Sequence, residues 1–185
     1  MPYLHFYIKV VINVLCLLMI QTAQASELKV AFINPSTPDQ AFWEMTTAAM
    51  QTTASELDIE LDVFYSDSNR YKSLEIAKKI INSPSKPDYL VYIFQSQVTR
   101  HILELAEAAA IKSFIFNTHV PLEELAVISS PRTKYKHWIG HMYPDDEYAG
   151  YLLAKTLTED IQKEDKNKVV NMLALGGSRD STAST

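Results

Sequence analysis

The sequence predicts an α/β protein built on a doubly wound parallel sheet, three layers deep as α/β/α. Three observations carry this. Short apolar runs alternate with longer amphipathic stretches along most of the chain. The short runs are apolar almost throughout, as strands buried on both faces must be. Each is separated from the next by a segment long enough for a crossover helix, the connection a parallel sheet requires.

The elements follow in order. Leu28–Ile33 (LKVAFI) is rich in apolar and branched residues and stops at Asn34-Pro35, so it reads as a strand. Gln40–Leu57 reads as a helix, with Phe42, Met45, Ala49, Met50, Ala54 and Leu57 at helical spacing and Asp39 as its N-cap. Ile59–Tyr65 is a second strand and Ser73–Asn82 a second helix, closed by the two prolines of Ser83–Pro87. Asp88–Phe94 is the third strand, Val98–Ala110 the third helix and Ser113–Phe116 the fourth strand. Val120–Lys136 is less regular and reads as an insertion over the surface, with a helical turn near Leu122–Leu125. His137–His141 is a fifth strand, Asp146–Gln162 a further helix, and Val169–Leu175 a sixth strand running into Gly176-Gly177.

The first 25 residues stand apart from this pattern. Val10–Ile20 is an apolar run of signal-peptide length, and Ala23-Gln24-Ala25 supplies the small-x-small pattern of a cleavage site. Export with cleavage after Ala25 is therefore expected. Cys16 is the only cysteine, so a mature chain has neither disulfides nor thiolate metal sites and relies on its packed core. With 17 basic against 22 acidic residues the chain is acidic, at a formal −5, and offers no basic stripe for a nucleic acid.

Ligands of open α/β sheets collect beyond the carboxyl ends of the strands. That rule selects four loops: Asn34–Trp43, Ser66–Arg70, Gln95–Gln97 and Asn117–His119. Neighbouring residues of a helix lie about 100° apart, so Phe42 and Trp43 cannot both enter the core. One ring is expected to face the crevice, where it can stack on the C–H face of a sugar while Gln40 or Asn117 bonds hydroxyls. Trp43 packed under the following loop is the alternative, and Asn117 equally suits a turn. His137 and His141 are four apart, but their segment reads as strand and no third ligand stands near, so no metal is expected. Gly176-Gly177-Ser178 lacks the lysine of a P-loop, and no G-x-S-x-G elbow occurs. Asp145-Asp146 and Glu123-Glu124 read as solvated or capping pairs, and neither a cofactor nor catalysis is indicated.

The order of elements resembles the type I periplasmic solute-binding proteins, the ribose-, galactose- and autoinducer-2-binding group that shares its fold with LacI-type regulators. The resemblance lies in Leu28–Asn34 with Phe42-Trp43, in Pro87–Val91, in Ile115–Thr118, and in Ile139-Gly140 followed by Pro144-Asp145-Asp146 and Ala149-Gly150. Val169–Gly177 and Arg179–Ala183 resemble the start of the family's second lobe. It implies a first lobe over residues 27–144 and, over residues 145–185, a crossover helix with the first strand of a second lobe, so that the chain is expected to be part of a longer protein. It implies Gln40, Phe42, Trp43 and Asn117 as ligand contacts, joined by Asp146. It also implies a periplasmic, non-enzymatic receptor for a carbohydrate-like solute. The closed form would be read by an ABC permease or, alternatively, by a sensor histidine kinase or cyclase.

Overall fold

The computed structural model describes residues 28–164 together with Asn171 and Leu173. The expected signal sequence, Cys16 and the glycine-rich loop from Gly176 lie outside the described residues. So does the expected sixth strand, apart from Asn171 and Leu173, which are exposed and in no strand.

Five strands form one parallel sheet: β1 (Leu28–Asn34), β2 (Ile59–Tyr65), β3 (Tyr89–Tyr92), β4 (Lys112–Phe116) and β5 (Trp138–Met142), in the order β2-β1-β3-β4-β5. Among the described residues five helices connect or follow them: α1 (Ala41–Glu56), α2 (Arg70–Ile81), α3 (Thr99–Ala108), α4 (Leu122–Ile128) and α5 (Asp146–Glu164). The sheet grows from β1 in both directions, to β2 on one side and β3 on the other. That is the topological switch point at which the loops above neighbouring strands diverge and open a crevice.

Alternation in the strands divides the apolar residues between two faces. Ala31, Ile33, Leu90, Tyr92 and Ile115 pack with Ala77, Ile80 and Ile81 of α2 and Ile102, Leu103 and Ala106 of α3 in the main core. Phe32 and Phe116 point the other way and meet Trp43 of α1, with ring centroids 5.5–6.3 Å apart. On this face Val30, Val91 and Phe114 remain half-buried, so the two faces are unequally covered.

α1 buries Trp43, Thr47 and Ala54, whereas Phe42, Met45 and Leu57 are exposed. Of the apolar stripe expected from the spacing only Ala54 is buried and Met50 half-buried, because the core-facing stripe includes Thr47, a threonine that is hydrogen-bonded, not apolar. Gln40, without a side-chain capping bond, occupies the N-cap position expected of Asp39. The Asp39 carboxyl is held below its usual range by the Thr37 hydroxyl and its own backbone N–H. α2 starts three residues earlier than expected because the Asn69 side chain accepts from the N–H groups of Tyr71 and Lys72 and caps it there.

The stretch read as a surface insertion is anchored instead. Val120, Ile128 and Tyr135 are buried in the main core, and α4 runs for two turns between them. β5 follows with an irregular register against β4, in which Ser113 faces Trp138 and Phe114 faces Gly140. A Cβ on Gly140 would stand 3.1 Å from the Phe114 ring. Gly140→Ala is expected to cost about 1 kcal/mol through this crowding, measurable as a lower urea midpoint at unchanged slope.

Candidate functional site

The four loops selected from the sequence come together beyond the carboxyl ends of β1–β4. They enclose a cleft of about 350 Å³ lined by Pro35, Ser36, Gln40, Trp43, Ser68, Arg70, Ile93, Phe94, Gln95, Ser96, Asn117 and Thr118. The polar part of this lining is three carboxamides, four hydroxyls and one guanidinium, with no carboxylate.

The cleft wall is held by a polar framework beneath it. Asn34, at the end of β1, is wholly buried; its amide donates to Thr47 Oγ1 at 3.0 Å and its side-chain oxygen accepts from the Ser36 N–H at 2.9 Å. Its backbone carbonyl accepts from both the N–H and the hydroxyl of Ser66, which ties the loop after β2 to the loop after β1. Asp67 and Ser68 continue that seam, donating to the carbonyls of Ser36 and Pro35. In the third loop the Thr99 hydroxyl donates to the Gln95 carbonyl and accepts from the Gln95 N–H. The Arg70 guanidinium reaches the Ser96 carbonyl and so joins the second loop to the third. The Asn117 N–H donates to the Met142 carbonyl at 2.7 Å, fixing the fourth loop to the last residue of β5.

Four residues on these loops, Asp67, Ser68, Gln97 and Asn117, have φ between 53° and 73°. That region costs an ordinary L-residue about 1–2 kcal/mol, and asparagine less. No glycine occurs anywhere between residues 28 and 139 to relieve it. Strained loop residues gathered on one rim are a common mark of a functional site.

Of the residues singled out from sequence, Gln40, Trp43 and Asn117 line the cleft. Trp43 does two things at once: it packs on Phe32 and Phe116, and it presents part of its surface to the opening. Phe42 is 51% exposed and does not line the cleft; its ring stands edge-on against Trp43 at 5.0 Å. Asp146 lies exposed in the first turn of α5, outside the cleft. His137 sits beside Glu107, with Nδ1 3.2 Å from its carboxylate, and among the described residues no cluster of three metal-ligating side chains occurs. Ser36, Ser68, Arg70, Gln95, Ser96 and Thr118 were not singled out individually. Their signal was their position directly after a strand.

No family model matches the chain, and no curated protein matches it. Solved structures do. A periplasmic sugar-binding protein from Pseudomonas fluorescens is similar over 84% of this chain and 44% of its own length, with 27% identity and a TM-score of 0.66. The periplasmic component of the arabinose ABC transporter of Shewanella sp. ANA-3, bound to L-arabinofuranose, matches over 84% and 46%, with 13% identity and a TM-score of 0.66. A periplasmic solute-binding protein of an ABC transporter from Actinobacillus succinogenes, with D-allose bound, matches over 74% and 46%, with 19% identity and a TM-score of 0.61. The chain thus spans a little under half the length of these structures, all of them binding proteins. By its parallel five-stranded sheet and these matches, the chain has the fold of one lobe of the type I periplasmic sugar-binding proteins.

Proposed function

We propose that this chain supplies the first lobe of an exported, non-enzymatic receptor that captures a sugar or sugar-like solute between two lobes and delivers it to an ABC importer in the membrane. The observation that carries the reading is the cleft at the switch point, where amides and hydroxyls that both donate and accept stand beside the Trp43 ring. A sugar offers the matching surface: hydroxyls that need both kinds of partner, and C–H faces that stack on aromatic rings. Gln40, Trp43 and Asn117 are the contacts. Phe42 acts through Trp43 by holding that ring edge-on, and Asp146, outside the cleft of this lobe, is not among them. Export and a periplasmic location rest on the apolar N-terminal segment and on the periplasmic origin of the similar structures.

Ligand-observed NMR against a panel of pentoses and hexoses tests this at millimolar sugar, where binding by one lobe is visible. At least one sugar is expected to show contact, and Asn117→Ala to weaken it about ten-fold, the worth of one well-placed hydrogen bond. A panel in which no sugar binds would remove the reading.

A further inference from the structure

Three rings gather where the chain leaves β5. His119 follows Thr118 of the cleft wall, and its ring stands edge-on to Tyr143 at 4.7 Å. His141, in β5, lies 5.3 Å from the same Tyr143 ring on a tilted plane and 5.8 Å from Trp138. Tyr143 thus contacts both imidazoles and bridges the loop of Asn117 and Thr118 to the segment after β5. The loop is also tied to the end of β5 by the backbone bond from the Asn117 N–H to the Met142 carbonyl.

The groups facing His141 are few. His119 approaches from the loop after β4, the Tyr143 phenol from the segment after β5, and the Trp138 indole from its own strand. His141 Nδ1 is buried with no hydrogen-bond partner. Among the described residues neither imidazole has a carboxylate in an ion pair, whereas His101 and His137 have Glu104 and Glu107. Burial, and then the charge of His119, hold His141 below the ordinary histidine value of 6.5. The folded site therefore favours the neutral ring, and its contribution is complete above about pH 6.5 and lost as the pH falls through the lower folded value. One imidazolium beside Tyr143 is partly offset by attraction to the ring face. A proton on His141 places a charge beside His119, which opposes it, and among the described residues no carboxylate is ion-paired to His141.

We propose that the His119–Tyr143–His141 ring cluster is a pH-sensitive clasp on the cleft: with a neutral His141 it holds the loop of Asn117 and Thr118 in its binding shape, and protonation of His141 in mildly acid surroundings loosens that loop and weakens capture. The proposal rests on the reading of the cleft as a ligand site, but its mobility arm does not.

Amide hydrogen exchange by NMR on the whole chain tests the clasp at about pH 7.5 and about pH 5.5, either side of the histidine range. Expressed as protection factors, the data are free of the intrinsic pH dependence of exchange. Protection at Asn117 is expected to fall about five-fold or more at the lower pH, the lower end of ordinary coupling between sites, while Ile33 in β1 keeps its protection. His141→Phe, which keeps a ring but cannot take a proton, should abolish the pH response. Protection at Asn117 that is equal at the two pH values, or that falls equally in His141→Phe, overturns the clasp. In a second arm, a sugar bound at the higher pH should lose affinity at the lower pH in the parent chain and hold it in His141→Phe; equal loss in both also overturns it. If no sugar binds at either pH, the reading of the cleft fails, and the exchange arm alone still decides the clasp.

Discussion

Cutting Trp43 back to alanine is expected to destabilise the fold by about 3–5 kcal/mol, the range for deleting a buried large aromatic side chain. The residue is only 9% exposed and touches Phe32, Phe42 and Phe116. Its loss leaves a hole on the sheet face that has α1 as its cover, and it also takes away one wall of the cleft. Phe42→Ala makes the contrast. That side chain is half in solvent, so its truncation should cost well under about 1 kcal/mol, as surface substitutions usually do. Urea denaturation of the two variants separates the rings: similar losses would show that Trp43 is not the anchoring partner. Trp43→Phe then divides stability from recognition, since it refills most of the hole but presents a smaller face to a sugar.

The second large effect is expected at Asn34. Asn34→Leu leaves the Ser36 N–H and the Thr47 hydroxyl buried without their partner. Each orphan costs about 1–3 kcal/mol, so the variant should lose several-fold more than a surface amide would. Thr47→Val alone strands the Asn34 amide instead. Because both changes break the same bond, the double variant should be less damaged than the sum of the singles, and a double-mutant cycle by urea denaturation reads that coupling. Strict additivity would mean that the bond contributes nothing. The seam to Ser66 runs through the backbone carbonyl of residue 34, which leucine keeps, so the disturbance should be confined to the loop after β1, where the Ser36 N–H loses its partner.

How much of this was legible in the sequence depends on the kind of signal each residue gives. Strands such as Leu28–Asn34 announce themselves, because burial on both faces demands an unbroken apolar run. The location of the cleft followed from those strands alone, since loops at their carboxyl ends converge wherever the strand order reverses. Helix faces were harder. In α1 the inward stripe contains Thr47, whose hydroxyl is matched by an asparagine thirteen residues upstream; nothing in local periodicity reveals that pairing, whereas exposed Phe42 and Met45 imitate a core stripe. The choice between Phe42 and Trp43 was open for the same reason: spacing says that one must face out, and only the position of Phe32 and Phe116 says which. The start of α2 was legible in principle, as Asn69 is a strong capping residue. Val120–Lys136 hid its anchors because Val120, Ile128 and Tyr135 are too far apart to form a periodic pattern, and they become a cluster only when the sheet stands beneath them.

The left-handed residues on the rim bear on selectivity. Non-glycine residues reach a narrower range of backbone conformations than glycine, so on the proposed reading these loops would have little slack with which to adapt to a second solute. On the proposed reading as a receptor, discrimination would be by fit at fixed geometry. If Gln40 and Asn117 are the contacts, as proposed, a solute missing one hydroxyl would leave one of these amides facing nothing. The expected signature is a narrow specificity profile, in which epimers differing at a single carbon are told apart by one or two orders of magnitude, about the discrimination set by one unpaired polar group.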